Sequence, residues 1–77
     1  MSGSLKRHYA PNAKVILNQI PLPGQAFIAM SQIHTPKGVH RIAAPTTVEQ
    51  FARELYSGMR EADRRGFLEL VINTPKG

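Results

Sequence analysis

The stretch from Pro45 to Gly66 constrains the fold more than any other, because it spells a helix with both ends marked and an apolar run close on either side. Pro45 breaks what precedes it. In Thr46-Thr47-Val48-Glu49 a threonine oxygen caps free amides while the glutamate reaches back, the pattern of a capping box. Val48, Phe51, Ala52, Leu55, Met59 and Ala62 then recur at i, i+3, i+4, i+7, i+11 and i+14. They form one apolar stripe, bordered by Glu49, Arg53, Arg60, Glu61 and Arg64. Gly66 follows Arg64-Arg65, as a left-handed cap follows a cation-rich last turn, and Phe67 to Asn73 is a β-rich run directly after it.

A helix returned to a strand by so short a turn requires parallel strands and a right-handed crossover. The strand before the helix is read over Val39 to Ala43, with Val39, Arg41 and Ala43 on one side. Two more precede it. Lys14 to Asn18 is a short β-branched run that "IPLPG" ends, since proline has no amide to donate. Gln25 to Ser31 is nearly continuously apolar, the signature of a central strand buried on both faces. The expected fold class is α/β: a small Rossmann-like domain of two or three layers, with a partly parallel sheet of three or four strands and one main helix. Such a sheet needs cover on both faces, and one helix covers one. The expectation is therefore a bare face or a truncated domain, stopping at "NTPKG" where a next helix would begin. Residues 1–13 are assigned to a linker or lid segment and residues 14–77 to the domain.

At 77 residues the chain is one small domain, and such a chain buries only about 60% of its unfolded surface. A large, self-contained active site is not expected. The absence of cysteine excludes a disulfide framework or thiolate metal site and fits a reducing cytoplasm. No apolar run approaches the roughly 20 residues of a membrane span. The net charge of +5 is unevenly placed: residues 1–44 hold Lys6, Arg7, Lys14, Lys37 and Arg41 with no acid, and the rest of the chain balances. Such asymmetry marks either a phosphate-facing surface or a merely solvated one.

Ile33 to Gly38 and Ile72 to Gly77 agree at five of six places. Proline removes an amide from each and a phosphate cradle needs several, so they read as two ordinary turns rather than a duplicated phosphate loop. His8, His34 and His40 have no carboxylate or cysteine at ligand spacing, so no metal site is expected. No serine or threonine sits in a nucleophile-elbow context, and Glu49, Glu54, Glu61 and Asp63 are read as solvated helix residues; no catalytic residue is assigned. Tyr56 is read as a half-buried packing residue.

There remains the cluster "KRHYAP" at Lys6 to Pro11, set just ahead of the first strand. It resembles the interdomain linker of the two-domain threonylcarbamoyl-AMP synthases, whose usual form ends in His-Tyr-Ala-Pro. The resemblance runs on through "GQAFIAM", "TTVEQFARELYSGMREADRRG" with its Arg-x-x-Asp, and the strand that follows. Lys6 stands where that linker usually has tyrosine, and Ser2 where it has proline. The resemblance implies that a separate N-terminal YrdC-like catalytic domain binds ATP, with magnesium, together with threonine and bicarbonate. That domain forms threonylcarbamoyl-adenylate and pyrophosphate, in a pathway of tRNA modification. It also implies that Arg7, His8 and Tyr9 face the nucleotide, pyrophosphate or threonine, this chain being a non-catalytic, lid-carrying, cytoplasmic C-terminal part.

Two other readings stay open. One is a basic tRNA-binding module, with Lys6, Arg7, Lys14 and Arg41 as phosphate contacts and Tyr9 stacking on a base. The other is an assembly module that dimerises the parent enzyme through the uncovered sheet or the Val48 to Ala62 helix face. Salt separates the first from a lid, because phosphate contacts weaken steeply as ionic strength rises.

Overall fold

The computed structural model describes residues 10–76, built from strands β1 (Lys14–Leu17), β2 (Ala26–Ile28) and β3 (His40–Ala43), helix α1 (Val48–Arg64) and strand β4 (Glu69–Ile72). The strands form one sheet in the order β1-β4-β2-β3, and all three pairings are parallel. The α/β class holds, with a sheet parallel throughout rather than in part. No helix is long and apolar enough to cross a membrane.

The middle of the sheet is β4 and β2, in register Ala26 to Leu70, Phe27 to Val71 and Ile28 to Ile72. These residues are between 0% and 3% exposed, as befits strands covered on both faces. The two faces then separate by alternation. Ala26, Ile28, Leu70 and Ile72 join Phe51 and Ala62 in the core beneath α1, while Phe27, Ala29 and Val71 gather with Ile16 and Val39 on the opposite side.

Both helix ends follow local chemistry. Thr47 is the N-cap, its Oγ1 accepting from the Gln50 amide at 3.0 Å. Gln50 Oε1 reaches back to accept from the Thr46 amide at 2.9 Å. The reciprocal cap thus uses Gln50, one position beyond the Glu49 expected, because Thr47 rather than Thr46 holds the extended N-cap backbone. At the other end Gly66 takes φ +80°, and the Phe67 amide bonds Ala62 O while the Gly66 amide bonds Asp63 O. This is a Schellman closure, and it seats Phe67 against the core.

The expected bare face is closed without a second helix. The β1–β2 connection must pass β4, and right-handed crossover takes it over the face opposite α1. Pro21 within it is buried, and the Gly24 amide bonds Gly38 O at 2.8 Å, tying this loop to the β2–β3 loop. The Arg41 guanidinium then lies 5.1 Å over the Phe27 ring.

One face assignment changes. The β2–β3 register shifts between Phe27 and Ile28, so Ile42 is an extra residue opposite that step. Val39 stays on the loop side with Phe27, but Ala43 joins Ile42 in the core beneath α1 rather than sharing a side with Val39 and Arg41.

The helix comes close to the sheet at Gly58, where an added Cβ would stand 2.7 Å from Ile28 Cδ1 and 3.7 Å from Ile42 Cγ2. Gly58→Val is expected to lower the unfolding free energy by about 2 kcal/mol, the usual cost of overpacking a close-packed core, read from urea denaturation. Gly58→Ala should fall between, since about 1 kcal/mol of helix propensity offsets part of the clash.

Candidate linker-anchoring site

The residues just ahead of β1 are held by a side chain from the far end of α1. Asp63, near the helix C-terminus, accepts from the Asn12 amide with Oδ2 and from the Ala13 amide with Oδ1, both at 3.0 Å. A carboxylate that receives two backbone N–H groups makes charge-assisted bonds, roughly twice as strong as neutral ones. Asp63 is half-buried, not a solvated helix residue as its position in the sequence suggested, and Ala13 beneath it is 3% exposed. The Lys14 amide continues the tie by bonding Leu68 O at 2.9 Å. The direction in which the chain enters the domain is thus set at Asn12 and Ala13.

Above this clamp lies a groove of about 660 Å³, lined by Ala10, Asn12, Tyr56, Arg60 and Arg64 among others. Tyr56 is half-buried, as expected, and the Arg60 guanidinium stands 5.8 Å over its ring. Beside them Glu61 receives Arg64 and Arg65, at 2.6 and 2.7 Å. Those hydrogen bonds, Arg64's first and then Arg65's, hold the Glu61 carboxyl down at about 2.

Of the site residues expected from sequence, Lys6, Arg7, His8 and Tyr9 lie outside the described residues. Lys14 and Arg41 are on the two edge strands of the sheet, β1 and β3. That is three strand spacings, about 14 Å apart, so the two cations form no common patch.

Arg41 also has other business. Its Nε donates to Ala43 O, Nη1 to Ile33 O and Thr35 Oγ1, and Nη2 to Ala29 O and Met30 O. All five N–H groups of the fork face protein acceptors, so a phosphate at Arg41 would compete with every one of them. Partial burial lowers its pKa below the ordinary arginine value, a direction an always-charged guanidinium tolerates.

Most of the apolar stripe of α1 is used internally: Phe51 and Ala62 are buried and Leu55 and Met59 pack on the core, whereas Val48 and Ala52 are exposed. The twin hexapeptides are used differently. The first closes a turn in which the Val39 amide bonds Pro36 O and Gly38 takes φ +83°. In the second, the Thr74 amide and Oγ1 both donate to Asn18 Oδ1. Sequence reasoning missed the Asp63 clamp, and the Arg-x-x-Asp ending of the helix was the signal that marked it.

Two outcomes test this geometry. Asp63→Ala leaves the half-buried Ala13 amide without its acceptor and should cost about 2 kcal/mol, with faster hydrogen exchange confined to Asn12 and Ala13. For Glu61, the folded carboxyl lies below its ordinary value of 4.5. Its contribution to stability is therefore complete above that value and is lost as the pH falls toward about 2. Carboxyl NMR should show that low midpoint rising in 1 M salt, because the pairs are exposed and screened.

No curated protein and no solved structure matches the chain significantly. A family model does, over residues 1–76, which takes in the clamp, the groove, the whole sheet and the "RHYAP" segment ahead of them. The chain belongs to the family that this model describes as threonylcarbamoyl-AMP synthase, C-terminal domain.

Proposed function

We propose that this domain is the linker-carrying C-terminal part of an L-threonylcarbamoyladenylate synthase and holds Arg7, His8 and Tyr9 over the reaction pocket of a preceding catalytic domain. The observation that carries the reading is the Asp63 clamp on Asn12 and Ala13, three and four residues after the last of that trio. A lid is useful only if its root is fixed, and two charge-assisted bonds to the backbone fix it at little cost in side-chain freedom.

The side chains suit the task. Arg7 pairs bidentately with a phosphate group, His8 donates to an anion, and Tyr9 offers a hydroxyl and a stacking face, while Pro11 stiffens the hinge. The reaction joins ATP, threonine and bicarbonate into a threonylcarbamoyl-adenylate and releases pyrophosphate. That product is a mixed anhydride, so a lid that excludes water protects it from hydrolysis. Among the described residues no three His, Asp or Glu side chains gather as metal ligands. In this reading magnesium accompanies ATP in the catalytic domain. The product serves threonylcarbamoyladenosine formation in tRNA, in the cytoplasm.

The test uses the two-domain parent. Tyr9→Phe and Arg7→Ala should each slow threonylcarbamoyl-AMP formation about tenfold, with an unchanged melting temperature, as expected for losing one transition-state hydrogen bond or ion contact. Asp63→Ala should reproduce part of that loss through the linker root alone. Unchanged rates in both linker variants would exclude the lid.

A further inference from the structure

Successive residues of α1 turn by about 100°, and on that wheel Arg53, Ser57, Arg60 and Arg64 fall in one narrow arc opposite buried Ala62. All four are exposed. The three arginines span about 16 Å of helix. Among the described residues both ion pairs converge on Glu61, taken by Arg64 and Arg65, and no acid pairs with Arg53 or Arg60. Glu49 stands at i−4 from Arg53, a spacing that often forms an ion pair, and does not meet it here. Even Arg64 leaves 72% of its side chain exposed. With Glu61 shared by Arg64 and Arg65 and no acid on Arg53 or Arg60 among the described residues, the ridge carries an excess of positive charge on a chain of net charge +5.

This ridge borders the groove through which the chain enters. Ala10 and Asn12 line that groove together with Tyr56, Arg60 and Arg64, and Asp63 pins the chain at its floor. The nine residues ahead of Ala10 span about 30 Å at full extension. Whatever precedes them is held near the ridge at an effective concentration on the order of millimolar. The description of the family as a C-terminal domain says what that is: the preceding domain of the same enzyme.

We infer that the Arg53–Arg60–Arg64 ridge, with Tyr56 at its edge, is the seat on which an acidic surface of that preceding domain docks. The inference rests on the linker reading above. Linker and ridge then divide the work: Asp63 sets the root of the lid, and the ridge sets how close the catalytic domain comes to it. A tether alone gives proximity without orientation, and a row of cations meeting a row of acids supplies the orientation.

The test is trypsin cleavage after Lys6 and Arg7 in the two-domain parent, followed by mass spectrometry, with thermal melts to show that each variant folds. Docking shields the linker, so R53E/R60E should be cut about ten times faster than wild type. Neutral R53Q/R60Q should show a smaller increase, and K37E, at an exposed position in the loop between β2 and β3, should show none. Raising sodium chloride from 0.1 to 1 M should speed wild-type cleavage and leave R53E/R60E unchanged. Equal cleavage of wild type and both double variants would overturn the proposal. So would unchanged cleavage together with lost tRNA retention, which would give the ridge to RNA. The readings fail separately: if Tyr9→Phe and Arg7→Ala keep full activity while R53E/R60E still speeds cleavage, the lid falls and the docking surface stands.

Discussion

The parallel pairing of β2 with β4, buried on both faces, is the constraint on which the rest of this structure depends. Parallel neighbours cannot be joined by a tight turn, so every connection must travel back along the sheet and lie on one of its faces. In a chain this small those connections also have to be the cover. One is a full helix, whose Gly58 lets it settle onto Ile28 and Ile42. The others are loops, and loops bring unpaired backbone groups with them.

Arg41 resolves that difficulty. Carbonyls of Ala29, Met30, Ile33 and Ala43, together with the Thr35 hydroxyl, converge on one guanidinium. The same group stacks over Phe27 and so covers the apolar face it helps to close. Buried carbonyls need donors, and an arginine fork supplies five in a fixed plane, where a second helix would have supplied apolar side chains. The first-half charge excess that suggested a phosphate surface is in part this internal fastener.

Asp63 does for the chain entry what Arg41 does for the loops. It sits in the last turn of α1, where the negative end of the helix dipole disfavours an acid, and the two amides it receives outweigh that. The helix that covers the sheet thereby also fixes the chain at Asn12 and Ala13, where it enters the domain. On its outward ridge Arg64 pairs with Glu61, while Arg53 and Arg60 meet no acid among the described residues. One element thus carries core packing, the clamp on the entering chain and the candidate docking surface on three of its sides.

Much of this was legible in the residues. The ends of α1, its buried stripe, the centrality of "QAFIAM" and the return to β4 after Gly66 all follow from local periodicity and cap chemistry, which act over a turn or two of chain. The family resemblance was legible in "RHYAP", a short run of specific residue types. What only the tertiary structure decided lies between residues distant in sequence. It placed β4 between β1 and β2, turned Ala43 to the helix side by a one-residue bulge, and pointed Arg41 inward. It also brought Asp63 to amides 50 and 51 positions away. No local period encodes such contacts, because they arise when the crossover direction and the pairing register bring separate segments into hydrogen-bonding distance.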